Sequence, residues 1–213
     1  MEFDVVEAFQ TPMKDQTWVN KVVIGGLVNI VPIINFFAIG YMLTYLDGLL
    51  KRGHTELPEW SEWGELFFIG LKAFVIMVVY MIGVIILGVL STLVGGMLGG
   101  LLAFVIFLAV MFFLPVALLR FVQEGYRIAP AFAFQEIYNL ISAKKDEYIL
   151  VYVIIVALCL VLGAVTKIPL LGWILGAFVF FYLSLCFCNL LTMVFSEAKG
   201  SDESGTVDPG TGA

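Results

Sequence analysis

Glu59, Glu62 and Glu65 recur every three residues in "HTELPEWSEWGELFF", His54 to Phe68. On a helix that spacing sets three carboxylates along one rough stripe, which could hold a cation or a basic substrate. His54 is the single histidine of the chain, and it belongs to the preceding loop. Nothing in the stretch fixes a metal geometry. The same residues also have a structural reading, and it is the favoured one. Pro58 suits the first turn of a helix, where its missing N–H costs nothing. The glutamates then sit at the positive end of the helix dipole, and Trp60 and Trp63 share a face. Tryptophan concentrates where hydrocarbon meets headgroups. The stretch is expected to be a helix start lying in a membrane interface, with Pro58, Trp60 and Trp63 as anchors and Trp18 as another.

Other reactive residue types are sparse. Cys159, Cys186 and Cys188 all lie in apolar runs. Cys186 and Cys188, two apart, point about 200° away from each other on a helix, so the cysteines read as small buried hydrophobes. There is no Ser/His/Asp set, no metal-ligand cluster and no phosphate-binding loop, and one histidine forecloses most His-based acid–base schemes. The expectation is no catalytic residue, no cofactor and no metal. Polar residues inside apolar runs are functional candidates by default. Asn29 and Asn35 flank Pro32 in "NIVPIIN", Pro169 breaks a later run, and Asn189 lies in the last one. Broken helices can build transport sites, although a lone proline is more often a tolerated break. No acid lies deep in a strong apolar run, so a proton-coupled carrier lacks its relay.

The elements that carry these residues follow from composition. The 213 residues are 62% hydrophobic and 13% charged, and mean hydropathy is +1.05. Soluble domains hold about 25% charged residues. No charge occurs from Ala73 to Leu119, from Ile149 to Thr166, or from Ile168 to Ser196. About 20 apolar residues span a bilayer core as a helix, and these runs lack the alternation of barrel strands. The net charge of −6 offers no basic face for nucleic acid. No cleavable signal is evident before the first apolar run near Val22.

The runs are Val22–Leu46, broken by "NIVPIIN"; Leu66–Leu93; a "GGMLGG" turn at Gly95–Gly100; Leu101–Leu119; Ile149–Val165; a "TKIPLLG" turn; and Trp173–Phe195. The fold class is all-α: a polytopic helical membrane protein of about six helices in three hairpins, plus interfacial amphipathic helices. The arms of the Pro-broken first hairpin, roughly 16–18 residues or 24–27 Å each, fall short of the ~30 Å core, which suits a re-entrant hairpin. A single Pro-kinked span, giving five helices, is the competing reading. "TPMKDQTW" and "VPIINFF" are weakly echoed by "SAKKDEY" and "IPLLGWI", as a repeated hairpin would require. Residues 130–148 read as an amphipathic interfacial helix, with Phe134 on its apolar face and Lys144 and Lys145 at its end for anionic headgroups. Residues 1–196 form one transmembrane domain, and the polar tail 197–213 is expected to be disordered. With every open hairpin end inside, all basic residues except Lys167 fall on the cytoplasmic side. Both termini are therefore expected to be cytoplasmic.

The combination of Trp18, Gly25, Gly26, Pro32, Ile33, Ile34, Gly40 and Tyr41 with "LPEWSEWGELFF", Gly70 and Lys72 resembles the domain-of-unknown-function 4013 family, prokaryotic multi-pass membrane proteins with no established activity. The likeness covers roughly residues 10–80. It implies a location in the cytoplasmic membrane and supplies no catalytic residues. The function expected is a non-catalytic scaffold or interaction subunit, its partners being the bilayer and either copies of itself or another membrane protein. The alternative is a transporter of small molecules or ions, or a lipid-handling protein.

Overall fold

The computed structural model describes residues 4–31, 34–53, 55–165 and 171–195, and every regular element among them is helical. Asp4 caps α1 (Val5–Gln10) by accepting from the amides of Val6 and Glu7. A 3₁₀ turn (Thr11–Lys14) leads to α2 (Trp18–Ile30) and α3 (Asn35–Arg52). Gly53, with φ of 61°, ends α3 by donating back to the Gly48 carbonyl. The long helices α4 (Trp63–Ser91) and α5 (Gly96–Gln123) follow. After a 3₁₀ turn at Ala129–Phe132 come α6 (Phe134–Ala143), α7 (Lys145–Val165) and α8 (Leu171–Phe195).

Side-chain registers define the hairpins. Asn29 reaches Ala177 of α8 and Gly25 abuts Phe181, so α2 runs antiparallel to α8. Tyr41 packs on Phe181 and Tyr45 meets Asn189, so α3 runs parallel to it. The chain direction therefore reverses from α2 to α3, and Asn29 near the end of α2 lies beside Ala177, within α8 rather than at its N-terminus. The α2 helix has 13 residues and α3 has 18, about 20 and 27 Å. Among the described residues, four helices are long and apolar enough to cross a membrane: Trp63–Ser91, Gly96–Gln123, Lys145–Ala164 and Gly172–Phe195. The protein is thus a multi-pass helical membrane protein, with a short hairpin set against two long ones.

Glycines allow the closest crossing. A Cβ on Gly40 would lie 1.9 Å from the Leu66 carbonyl oxygen, and one on Gly70 would lie 1.8 Å from that of Phe36. Backbones meet there, so α3 and α4 pack tightly and antiparallel. The core lies toward the open hairpin ends: Tyr41, Leu43, Tyr45 and Leu46 of α3, Leu66 to Tyr80 of α4, Val116 to Val122 of α5, and Phe181 to Phe195 of α8 contribute most of its buried side chains. Beyond it the distal halves expose broad apolar faces, as at Ile85 (63%), Val89 (63%) and Leu98 (66%).

Three sequence expectations are corrected. The turn expected over Gly95–Gly100 is confined to Thr92–Gly95, and α5 begins at Gly96. Only Gly95 and Gly96 there carry positive φ, 78° and 54°, while Gly99 serves close approach to the Ser91 carbonyl. The helix expected from Pro58 starts at Trp63, because backbone carbonyls of the preceding segment are held by side chains of α2 and α3. The helix expected over 130–148 divides into a 3₁₀ turn, α6 and the first turn of α7, with a non-helical break at Lys144. His54, Pro32, Pro169, most of the "TKIPLLG" turn and the 197–213 tail lie outside the described residues.

Candidate functional site

Two arrangements concentrate polar chemistry. The first joins the N-terminal arm to the segment before α4. Lys21 opens toward it from α2 and is only 5% exposed. Its ammonium donates to Asp15 Oδ2 at 2.8 Å and to the Leu57 carbonyl at 2.8 Å, and pairs with Glu59 at 2.6 Å. Asp15 in turn accepts from the Leu57 amide, the Thr17 amide and the Thr17 hydroxyl. Burial by itself would raise the Asp15 carboxyl; hydrogen bonds from Lys21 and Thr17 outweigh it and hold the group at about 2. Trp60 donates its indole N–H to the Lys21 carbonyl, and Tyr41 donates to the Pro58 carbonyl at 2.7 Å. The Tyr41 and Trp60 rings stack at 4.1 Å. This is a clasp: each donor of the ammonium has an acceptor, and both Asp15 oxygens are engaged.

The second arrangement is a cleft of about 370 Å³ between the short hairpin, α4, α7 and α8. Met42, Met77, Ile155, Leu158, Phe180 and Phe187 supply apolar walls, and Asn29, Asn35 and Ser184 supply polar atoms. Among the described residues lining it, none is charged. Asn29 donates to the Ala177 carbonyl at a long 3.4 Å, and Ser184 donates to the Phe180 carbonyl. Asn29 and Phe180 also line an adjoining hollow that extends to Leu162 and Trp173.

The sequence candidates therefore separate. Asn29 and Asn35 meet in one cleft, as their positions flanking the break require. Asn189 lies in the core instead, 4% exposed, its amide paired with the Tyr45 hydroxyl and donating to the Leu185 carbonyl. The glutamate stripe does not form: Glu59 pairs with Lys21, whereas Glu62 and Glu65 are exposed. Trp60 is drawn inward onto Tyr41 and Phe181, and Trp63 is 41% exposed. Trp18 packs on Tyr182, so Trp18 and Trp60 lie at one level of α8. On α6, Ile137 and Ile141 face the core, and Phe134 (58%) and Tyr138 (57%) face outward. Lys145 is exposed at the start of α7.

Sequence reasoning missed Asp15 and Lys21. Their local signal was an acid six residues before a lysine at the start of an apolar helix. Their decisive partner, Leu57, is 36 residues from Lys21 and 42 from Asp15.

Among known proteins, a family model described as a protein of unknown function, DUF4013, matches residues 24–188. Neither the curated proteins nor the solved structures contain a match to the chain.

Proposed function

Because the chain belongs to the DUF4013 family of proteins of unknown function, with the match running from the first hairpin into α8, we propose that it is a non-catalytic assembly subunit of a prokaryotic cytoplasmic membrane, docking a partner helix along its α4–α5 hairpin. The observation that carries this reading is the shape of that hairpin. The α4 and α5 helices have 29 and 28 residues, about 42–44 Å, against a hydrocarbon core of ~30 Å. Their distal halves pack chiefly on each other, and Gly88 faces open space. A helix longer than the bilayer core tilts or associates, and a missing side chain lets a second helix come close. Several polar groups that could have served chemistry are engaged in structural contacts: Lys21 and Asp15 in the clasp, Asn189 with Tyr45, and Arg120 with Glu124 and Glu136.

Orientation follows from charge. Lys14, Lys51, Arg120, Arg127 and Lys145 occupy the open hairpin ends or their loops, which supports a cytoplasmic location for that face and for both termini. In this frame Trp18, Trp63, Phe134 and Tyr138 meet the headgroup layer, and α6 lies in the interface.

Site-specific photo-crosslinking in the native membrane tests the reading. A crosslinker in place of Leu101, 56% exposed on α5, should give a protein adduct of defined mass. One in place of Leu160, 72% exposed on α7, should not. Absence of a protein adduct at Leu101, or equal adducts at both positions, would refute docking on this hairpin.

A further inference from the structure

We infer that the cleft beside Asn29 and Asn35 is a binding site for one uncharged, lipid-like amphiphile, with its apolar chain along α7 and α8 and its ester or hydroxyl oxygens at the two amides. Three observations converge on this occupant. The space of about 370 Å³ falls within the range of small-molecule sites, roughly 300–1,000 Å³. The cleft opens among helices whose neighbouring faces are apolar and exposed, as at Val156, Leu160 and Val179, so its entry is from lipid. Its lining combines apolar walls with amide and hydroxyl groups and, among the described residues, carries no charge. Among the described lining residues a phosphate headgroup would find no cation, whereas a neutral ester or hydroxyl finds hydrogen-bond partners in a setting where unmade bonds are costly. The short hairpin explains the position. Asn29 near the end of α2 lies beside Ala177, Asn35 at the start of α3 lines the same cleft, and the adjoining hollow toward Leu162 and Trp173 lengthens the path for a chain.

The test uses the full-length protein and a defined probe. The protein is reconstituted into dioleoylphosphatidylglycerol vesicles doped with dioleoylglycerol, re-extracted in mild detergent, and its retained lipid counted per chain. The expected result is one dioleoylglycerol per chain, saturable, and enriched about tenfold over its bulk fraction, the equivalent of one hydrogen bond in a low-dielectric site. N29L/N35L should abolish the enrichment. Ile155→Trp, which fills the apolar wall, should lower occupancy without touching the amides, and serves if the asparagine variant folds poorly. Retention in bulk proportion by the wild-type protein, or enrichment unchanged in whichever variants keep the wild-type unfolding temperature, would overturn the assignment. Neither result bears on docking at α4–α5, which Leu101 crosslinking reads separately.

Discussion

Lys21 shows how one residue can set the local architecture of this protein. A buried ammonium is tolerated only when paired and hydrogen-bonded, and here three oxygens close around it. Removing one member strands the other. Lys21→Met should destabilise the fold by about 3–5 kcal/mol, read as a lower unfolding temperature in detergent, and D15N/K21M should recover part of the loss. Equal stability of Lys21→Met and wild type would show that the clasp contributes little. The same carboxylate predicts an acid response. Its folded value, about 2, lies below the ordinary Asp value of 3.8, so its stabilisation is fully present above pH 4 and fades as pH falls toward 2. The amount is roughly 2 kcal/mol by linkage, and the slope of stability over that window should flatten in Asp15→Asn. None of this was legible from single residues. An aspartate and a lysine near an apolar helix look like ordinary solvated charges until the segment at Leu57 folds back on them.

At the scale of elements, hydrophobic runs foretold the helices well because lipid leaves the backbone few alternatives. The three hairpins correspond to α2–α3, α4–α5 and α7–α8. Boundaries were less legible where tertiary contacts override local preference. Pro58 would favour a helix start, yet Tyr41 and Lys21 hold the carbonyls of Pro58 and Leu57 and delay the helix to Trp63. Glycine content alone did not separate the glycines that matter, although Gly25, Gly26, Gly40 and Gly70 stood among the residues carrying the family resemblance. The structure distinguishes them. Gly70→Ala drives a methyl group into the Phe36 carbonyl and should cost about 3 kcal/mol or more, beyond ordinary overpacking. Gly88→Ala meets nothing within 4 Å and should be neutral or stabilise by up to about 1 kcal/mol through helix propensity. Chemical denaturation of the two variants in the same detergent checks the contrast, and comparable losses would show that the α3–α4 approach is looser than described. If a partner helix passes over Gly88, bulkier Gly88→Leu should fold normally and yet lose the Leu101 crosslink.

For the whole molecule, the distribution of burial matters most. Side chains pack densely toward the open ends of the hairpins and thin out along the distal halves. A self-contained bundle would bury its helices along their length; here the hairpins part, leaving a lateral cleft by the short one and a long apolar flank on α4–α5. The fold class was readable from composition. The cleft was half readable, since Asn29 and Asn35 flank a break, but the α7 and α8 walls that complete it come from over a hundred residues away in the chain, a pairing no local pattern encodes. Assembly is therefore the central claim, and native mass spectrometry of the protein gently extracted from its own membrane tests it most directly. The account predicts a fixed multiple of the 23.5 kDa chain, or the chain plus the mass of a second protein. A monomer with no protein bound, across mild detergents that preserve the fold, would contradict it.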